Sequence, residues 1–301
     1  MQQLNMEKLV GLCVHEHENL GLHTTFRIGG EARYFAEPET SADIVAVCQA
    51  AEESGLPVFI LGNGSNILFS DEGFPGVVVS MRRFHGDSLT VEGDFITCSA
   101  GIMGPWLARY ACEQGISGFE FLSWIPGSIG GLVMQNASCC VGKQTGSISD
   151  IIQGMSVYDF SEKKIVSLTQ KDLTFGYRSC EGVNGVILFV TLKGKKGKKK
   201  NIAEYMRQAE AMRKDCQDWE NPSAGCVFKN PPGFSAGALI DECGLKRFTI
   251  GGAQVAVKHA NFIIKIGKAT AMDVKAVIDH VQDTVYKEKG IMLERELQYV
   301  G

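Results

Sequence analysis

The sequence predicts an α+β fold with more than one subdomain. Three patterns predict it. A helical segment is followed by short β-branched runs bounded by glycine near the start of the chain, and a second alternation of helix and strands comes next. The last third contains two long amphipathic segments among strand-like runs. A chain of 301 residues, 45% of them hydrophobic, is long enough to bury the core that such a fold needs.

The first alternation predicts a subdomain over residues 1–80. The segment 41–54 spaces its apolar residues as one face of a helix, with Ser41 as the predicted N-cap. The runs PVFILG at 57–62 and GVVVSM at 76–81 are typical of strands, because they are β-branched and bounded by glycine.

The second alternation predicts a subdomain over residues 81–195. A strand at 96–101 precedes a helix at 104–115, which ends at a glycine. Three further strand-like runs follow, at 154–160, 164–168 and 186–194. Because strands and helices alternate within each segment, both subdomains are expected to be mixed rather than all-helical.

A lysine run, KGKKGKKK at 193–200, marks the boundary before the predicted third domain, 196–301. The run is interpreted as a solvated loop between elements. Attraction of a phosphorylated substrate is the alternative interpretation. Beyond the run, two amphipathic helices are predicted at 201–217 and 270–290, with strands between and after them at 248–257, 261–267 and 291–300.

Charge and composition exclude several classes of protein. The net charge of −4 argues against general nucleic-acid binding, which needs an excess of Lys and Arg over one face. Neither a secretory leader nor an apolar run of about 20 residues occurs, so we expect a cytoplasmic protein without membrane insertion. The ten cysteines lack zinc-like spacing and are expected to be reduced thiols, so no metal site is predicted.

Two glycine-rich segments are candidates for phosphate binding. LGNGSNIL at 61–68 follows a predicted strand, and glycine there frees backbone N–H groups to converge on an anion. Ile67 stands where a dinucleotide fingerprint needs its third glycine, and no P-loop is present. A tight turn is therefore the simpler explanation of the first segment, but the second segment, IPGSIGG at 125–131, favours an extended pyrophosphate site.

Eight ordered motifs resemble those of the UDP-N-acetylenolpyruvoylglucosamine reductase family. The resemblance extends from about residue 19 to the last residue, 301. Its motifs are HTTFRIGG, LGNGSN, GFEFLSWIPGSIGG, QNAS, FGYR, AGCVFKNP, GGAQVAVKHANFI and LEREL.

The resemblance implies a flavoenzyme. It implies noncovalent FAD and reduction, by NADPH, of the enolpyruvyl ether of a UDP-sugar to UDP-N-acetylmuramate for peptidoglycan. The implied fold is the two-subdomain FAD-binding fold of vanillyl-alcohol-oxidase relatives plus a C-terminal α/β substrate-binding domain. The spacing after FGYR resembles the shorter subclass, which lacks an extra substrate loop, and a monomer is expected.

The resemblance also implies the residues that contact the cofactor. The first glycine segment and the second are matched to the FAD pyrophosphate and the flavin, respectively, and QNAS to the same surface. The implied FAD-binding residues are Gly62, Asn63, Gly64, Ser65, Asn66, Pro126, Gly127, Ser128, Gly130, Gly131, Asn136 and Ala137.

Three residues match the family's catalytic positions. Arg178 matches the arginine that holds the substrate carboxylate, and its planar fork suits a carboxylate better than a lysine would. Glu296 matches a glutamate that polarises the enol or relays a proton. Glu294 is the alternative, because alternate residues of a predicted strand share one face.

Cys226 occupies the position where relatives carry the serine that donates a proton. A cysteine thiol has a pKa of about 8.5, so it is largely protonated at neutral pH and more acidic than a serine hydroxyl. It is therefore a competent general acid. Read without the resemblance, Cys226 would be a small buried thiol, and Arg178 and Glu296 would be surface charges.

The resemblance extends less specifically to the nucleotide. It implies that Lys214, Asn230, Lys246 and His259 contact the UDP moiety. The chain departs from the family pattern at Trp124, where a glycine is usual, and at 138–140, where SCC replaces a glycine-alanine-aromatic run. Two other functions remain open: a flavin oxidase acting on a different substrate, and a noncatalytic flavin or UDP-sugar binder.

Overall fold

The computed structural model describes residues 3–85, 89–141 and 144–301. The α-helices in this part of the chain are α1 (Ser41–Glu53), α2 (Gly104–Gln114), α3 (Ile129–Met134), α4 (Ile148–Ile151), α5 (Lys199–Cys216), α6 (Ala236–Glu242) and α7 (Ala271–Lys289). Short 3-10 turns occur at Met6–Leu9, Leu20–His23, Glu120–Trp124 and Gln170–Asp172.

The strands are short, and many are joined by glycine turns. They are β1 (Cys13–Asn19), β2 (Glu31–Glu37), β3 (Val58–Leu61), β4 (Ile67–Phe69), β5 (Phe74–Ser80), β6 (Thr90–Glu92), β7 (Phe95–Ser99), β8 (Ile116–Ser117), β9 (Ser138–Val141), β10 (Gln144–Ser147), β11 (Ile152–Asp159), β12 (Lys164–Thr169), β13 (Thr174–Gly176), β14 (Ser179–Glu181), β15 (Gly185–Lys193), β16 (Lys195–Lys196), β17 (Ser223–Cys226), β18 (Thr249–Ile250), β19 (Ala253–Val255), β20 (Phe262–Lys265) and β21 (Gln298–Val300).

The chain forms two compact units, and each is discontinuous in sequence. Unit 1 comprises Met1–Val14, Ala36–Asn63 and Val78–Arg213, and unit 2 comprises His15–Phe35, Gly64–Val77 and Lys214–Gly301. The three-way division at residues 80 and 195 stays a prediction. The α+β content agrees with the fold class that the sequence predicts.

Unit 1 contains a five-stranded antiparallel sheet with the strand order β12-β11-β15-β7-β6. Its longest strand, β15, is rich in β-branched residues and largely buried, as the run VILFVTL predicts. Helix α2 has Pro105 in its first turn and ends at Gly115, whose φ of 71° gives the left-handed cap typical of a helix C-terminus.

Unit 2 contains a four-stranded antiparallel sheet with the order β17-β20-β19-β18. Helix α7 buries one stripe in the core of this unit, at Val274, Val277, Ile278, Val281 and Val285. Spacings of three and four residues place these side chains on one face of a helix. The stripe therefore fixes α7 in the core of unit 2.

The ends of α7 follow the predicted signals. Thr270 accepts a hydrogen bond from the backbone N–H of Asp273, Asp273 accepts one from Thr270, and Gly290 closes the helix with a φ of 69°. These hydrogen bonds, chiefly from the Thr270 backbone, lower the pKa of Asp273. Its contribution to stability is therefore present above the pKa of the unfolded chain and is lost as the pH falls through the folded pKa.

A second, parallel pairing in unit 2 joins distant parts of the sequence. Strand β4 pairs with β21, with Ile67 opposite Gln298 and Phe69 opposite Val300. Strand β4 directly follows the first glycine segment. The C-terminus therefore fixes the exit of that segment within unit 2.

Two predictions about strands and loops are wrong. Residues 291–297 do not form a strand, although Arg295 makes an isolated antiparallel bridge to Phe228. The lysine run is exposed as expected, but it is not a loop: it contains the end of β15, all of β16 and the start of α5. Pairing of β16 with β8 gives this run its extended structure.

Two predictions about helices also need correction. The N-cap of α1 is Thr40 rather than Ser41, because Thr40 and Asp43 complete a reciprocal capping box. On the predicted apolar face of α5, Ile202 and Ala209 are buried, but Met212 is half exposed. Among the described residues, no helix is both long and apolar enough to cross a membrane.

The cap of α7 makes a testable contribution to stability. We expect Thr270→Ala to lower the free energy of unfolding by about 1 kcal/mol, because it removes the acceptor for the Asp273 N–H. Thr270→Ser keeps a hydroxyl and serves as the control. Urea unfolding followed by circular dichroism measures the difference, and equal midpoints for Thr270→Ala and wild type would contradict the assignment.

Candidate active site

The two glycine segments meet within unit 1. The side-chain amide of Asn63 donates to the carbonyl oxygen of Pro126 at 2.7 Å. A Cβ added to Gly62 would overlap the hydroxyl of Ser128, which is buried. Close approach of the Gly62 backbone to the Ser128 side chain therefore favours glycine at position 62.

The remainder of the first segment belongs to unit 2. Gly64 has a φ of 66°, and an added Cβ would lie 2.5 Å from the carbonyl oxygen of His23 and 2.8 Å from Cα of Thr24. The Gly64 carbonyl accepts a hydrogen bond from the Thr25 N–H. Asn66 accepts from Gln298 through its backbone and donates to the carbonyl of Glu296 through its side chain, at 3.1 Å each.

Arg178 lies in a strained turn of unit 1. Strands β13 and β14 pair Gly176 with Ser179, so Tyr177 and Arg178 form the two-residue connection. Arg178 has a φ of 60°, which non-glycine residues rarely adopt and which costs roughly 1–2 kcal/mol. Strain of this kind clusters at functional sites, and it is a structural reason, independent of any motif, to examine this arginine.

Polar contacts orient the Arg178 guanidinium. Its Nη1 donates to the hydroxyl of Ser138 at 2.8 Å, and its Cζ lies 5.1 Å from the ring centroid of Tyr177. Ser138 belongs to the SCC stretch that departs from the family pattern. Ser138 is the last residue of the QNAS motif at 135–138, but the resemblance assigns it no role in the site.

Asn136 ties the same hairpin to the end of α3. Its Nδ2 donates to the carbonyl of Gly176 at 2.9 Å, and its Oδ1 accepts from the N–H of Ser149 at 3.1 Å. Asn136 also has a positive φ of 37°. The structure thus brings Asn136, predicted as a flavin contact, together with Arg178, predicted as catalytic.

Cys226 ends strand β17 in unit 2. It is half-buried and pairs with Phe262 of β20, after a register shift that follows Ser223. Gly225 precedes it with a φ of 76°. The register shift and the left-handed conformation of Gly225 change the direction of the backbone immediately before Cys226.

The residues after Cys226 pair with the C-terminal segment. The Val227 carbonyl accepts from the N–H groups of Glu296 at 2.8 Å and Leu297 at 3.2 Å. The Lys229 N–H donates to the Glu294 carbonyl at 2.8 Å. This pairing brings the backbone next to Cys226 against the backbone of Glu296, two parts of the sequence that are 70 residues apart.

The two glutamates of the C-terminal segment have different surroundings. The Glu294 side chain is 72% exposed and forms an ion pair with Lys229, with the two atoms 2.5 Å apart. Glu296 is half-buried. The structure therefore distinguishes the two glutamates by their exposure and by the ion pair of Glu294, which sequence spacing could not do.

The predicted nucleotide contacts fall into separate places. Asn230 accepts from the Ala236 N–H at the start of α6, and His259 lies beside Gly237 in the first turn of that helix. Lys246 is paired with Asp241 in the last turn of α6, at 2.6 Å. The structure therefore brings Asn230 and His259 together at one end of this helix, while Lys246 is at the other end.

Lys214, the fourth predicted contact, is exposed near the end of α5. This helix is attached to the second glycine segment through Trp124, within unit 1. The indole N–H of Trp124 donates to the carbonyl of Met206 at 3.3 Å, and the Arg213 guanidinium donates to the Trp124 carbonyl at 2.7 Å. Trp124, a departure from the family pattern, thus docks α5 onto the segment that precedes Pro126.

All ten cysteines are free thiols. Burial raises the pKa of the Cys48 and Cys98 thiols to about 12, so both are inert core residues. Burial, followed by the Glu181 charge, also raises the pKa of Cys180. Cys226 differs from Cys48 and Cys98 because it is only half-buried.

Comparison with known proteins identifies the family. Residues 217–300 match the family profile of the C-terminal domain of UDP-N-acetylenolpyruvoylglucosamine reductase, and residues 32–169 match an FAD binding domain. The reductase of Moorella thermoacetica is 40% identical over 96% of this chain and 94% of its own length. The reductase of Desulforamulus reducens is 37% identical over 98% and 96%, respectively.

This chain belongs to the UDP-N-acetylenolpyruvoylglucosamine reductase family. A crystal structure of the reductase from Thermus caldophilus has the same fold, with a TM-score of 0.79 and 33% identity over 96% of this chain and 99% of that one. A variant of BBE-like 1 from Physcomitrella patens, 13% identical, has a TM-score of 0.57 over 95% of this chain and 89% of its own. That likeness concerns the fold alone.

Family membership and the FAD binding domain make this chain an FAD-dependent oxidoreductase of peptidoglycan synthesis. The residues of unit 1 fit the cofactor. Gly62 closely approaches the buried Ser128 side chain, and the Asn63 side chain binds the Pro126 carbonyl, so the two glycine segments are held together. Glycine-rich backbone of this kind suits a diphosphate. This agrees with the FAD-binding fold that the sequence predicts.

Glycine at position 64 is expected to be required for FAD binding. Gly64→Ala adds both left-handed strain and a backbone clash with His23 and Thr24, so we expect FAD affinity to fall at least about tenfold. Gly93→Ala is the matched control, because Gly93 has a φ of 62° and an added Cβ meets no atom within 4 Å.

Titration of the apoproteins with FAD, followed by quenching of flavin fluorescence, measures both affinities. Equal affinity for Gly64→Ala and Gly93→Ala would show that the close approach at Gly64 does not matter for the cofactor.

Proposed function

We propose that this protein reduces UDP-N-acetylglucosamine enolpyruvate to UDP-N-acetylmuramate with NADPH, and that Cys226 donates the proton. The observation that carries the proposal is the hydrogen bond between Glu296 N–H and the Val227 carbonyl, which joins the thiol segment to the predicted catalytic glutamate. Family membership supports the substrate, and the FAD binding domain supports the hydride chemistry.

When bound and reduced by NADPH, FAD would supply the hydride that reduces the enolpyruvyl group. Gly62, Asn63 and the segment 126–131 would hold it in unit 1, together with Asn136 and Ala137. The family resemblance also matches Gly64, Ser65 and Asn66 to the FAD pyrophosphate. Because these groups are mainly backbone and amide, the charge of the diphosphate would be stabilised by N–H dipoles.

Arg178 would bind the carboxylate of the enolpyruvyl group. Negative charge develops toward that carboxylate as the double bond is reduced, and a fixed cation stabilises it. Two contacts on the guanidinium, from Ser138 and from the Tyr177 ring, restrict its orientation before substrate binds. A cation that is already oriented needs less reorganisation during the reaction than a mobile one, so the free-energy cost of reaching the transition state is smaller.

Cys226 would donate its proton to the carbon next to the carboxylate. The S–H bond breaks as the C–H bond forms, and the thiolate then regains a proton from solvent. Glu296 would polarise the enol or relay that proton. Its half-buried position distinguishes it from Glu294, whose charge is already paired with Lys229.

The UDP moiety would bind through Asn230, Lys246, His259 and Lys214. For Lys246 this requires exchange of Asp241 for a phosphate, which is feasible because an exposed ion pair is worth only about 0–1 kcal/mol. A preference for NADPH, a monomeric state and a cytoplasmic location belong to the same proposal, and they rest on the family resemblance alone.

Replacement of Arg178 tests the cation. We expect Arg178→Ala to lower kcat by about 10²–10³, the usual cost of one stabilising contact to a developing charge. Arg178→Lys keeps the charge but loses the planar fork, so its activity should lie between those of Arg178→Ala and wild type. The assay follows NADPH oxidation at 340 nm (from the chromophore of the reduced nicotinamide) with the enolpyruvyl UDP-sugar present. Wild-type kcat in Arg178→Ala would rule out the role.

Replacement of Cys226 tests the proton donor. Cys226→Ala should lower kcat by about 10²–10⁴, because it removes a general acid, and Cys226→Ser should retain much more activity.

The wild-type protein should purify with flavin absorption and oxidise NADPH only when the enolpyruvyl UDP-sugar is present. Full turnover by Cys226→Ala would exclude Cys226 as the donor, and failure to bind FAD would exclude the whole proposal.

A further inference from the structure

A buried amide side chain holds the segment that follows Cys226. Asn261 is 3% exposed and directly precedes β20. Its Nδ2 donates to the Phe228 carbonyl at 2.8 Å, and its Oδ1 accepts from the Phe228 N–H at 2.9 Å. Its own backbone carbonyl accepts from the Val227 N–H at 2.9 Å. One residue thus makes three hydrogen bonds to two consecutive residues.

The side-chain amide of Asn261 donates and accepts hydrogen bonds as a backbone peptide group of a neighbouring strand would. Pairing of β17 with β20 ends at Cys226 and Phe262. The backbone bond from Val227 and the two side-chain bonds to Phe228 continue that pairing beyond the strands. Without the amide, both polar backbone groups of Phe228, a fully buried residue, would lose these partners.

Val227 and Phe228 lie between Asn261 and the C-terminal segment. The Val227 N–H binds Asn261, and the Val227 carbonyl binds Glu296 and Leu297. Movement of this segment would therefore displace both the thiol of the preceding residue and the backbone of Glu296. None of the eight motifs or the matched site residues predicts this function for Asn261.

We propose that Asn261 is a positioning residue that fixes the Cys226 thiol relative to Glu296. The inference rests on the proposed role of Cys226 as proton donor. Asn261 does not contact the substrate in this scheme. It acts by hydrogen bonds to Val227 and Phe228, and a thiol misplaced by about 1 Å is expected to cost up to about 100-fold in rate.

The variant Asn261→Asp tests the positioning role through the pH dependence of its rate. A protonated carboxylic acid has the shape of the amide, donates to the Phe228 carbonyl through its O–H, and accepts from the Phe228 N–H. The carboxylate has no donor and faces the carbonyl with negative charge. Burial raises the pKa of an aspartate, so the variant should work best at low pH and lose rate as the pH rises through that pKa.

Rapid mixing of the holoenzyme separates the two half-reactions. Flavin reduction by NADPH does not use Cys226, and we expect its rate in Asn261→Leu to stay within about twofold of wild type. Flavin reoxidation by the enolpyruvyl UDP-sugar should slow by about 10–100-fold. Asn261→Asp should approach the wild-type reoxidation rate at the acid end of the profile and fall toward the Asn261→Leu rate at the alkaline end.

Ser99→Ala is the matched control for the loss of a buried hydrogen bond. The Ser99 hydroxyl is fully buried and donates to the Phe84 carbonyl at 2.8 Å, within unit 1 and without contact to Val227. Both half-reactions of this variant should keep their wild-type rates. Equal slowing of the two half-reactions in Asn261→Leu, or a pH profile of Asn261→Asp parallel to wild type, would overturn the inference.

Alkylation of Cys226 separates failure of this inference from failure of the proposed function. Iodoacetamide labelling followed by peptide mass spectrometry should be at least threefold faster at Cys226 in Asn261→Leu than in wild type, because the half-buried thiol is released. Cys48, inert by burial, reports that the fold is intact. Unchanged labelling overturns the role of Asn261, whereas full turnover by Cys226→Ala overturns only the proton donor.

Discussion

The backbone of Val227 joins the elements on which the candidate chemistry of unit 2 depends. Its N–H binds the carbonyl of Asn261, and its carbonyl binds the N–H groups of Glu296 and Leu297. The Val227 peptide thereby connects the end of the sheet, the segment that carries Cys226 and the C-terminal segment. Since backbone hydrogen bonds are directional, this arrangement fixes the thiol loop and Glu296 more closely than apolar packing alone would.

Unit 1 organises its charged group differently. Arg178 lies at a strained turn position, and Ser138 and Asn136 restrain the hairpin that carries it. The cost of the left-handed conformation must be offset by the surrounding contacts. In unit 2 the segments that carry Cys226 and Glu296 are joined by backbone hydrogen bonds, while in unit 1 a long side chain is oriented by contacts at its tip and its base.

The candidate cofactor segments are rich in glycine rather than in positively charged residues. A Cβ would prevent the close contacts of Gly62 with the Ser128 side chain and of Gly64 with the backbone of His23 and Thr24, and Asn63 links the first segment to Pro126. The lysine-rich run forms the end of β15, strand β16 and the start of α5, all exposed. Five of its six lysines lie in these elements, Lys198 lies between β16 and α5, and all six are exposed.

Local sequence determined much of the fold of this protein. Period-two and helical patterns predicted β3, β5, β15, α2 and α7, because each signal depends on neighbouring residues. The cap at Thr270 and the glycine stops at 115 and 290 are similarly local. The resemblance of eight motifs identified the family, which the comparisons confirmed.

Only the tertiary structure separated Glu294 from Glu296, by their different exposure, and showed the contacts of Ser138 and Asn261. The C-terminal segment pairs with Val227 and Lys229 instead of forming the continuous strand that its sequence predicts. Ser138 meets Arg178 across 40 residues, and Asn261 meets Phe228 across 33. Contacts at such separations depend on chain folding, and no local pattern of residues encodes which polar side chain will find which partner.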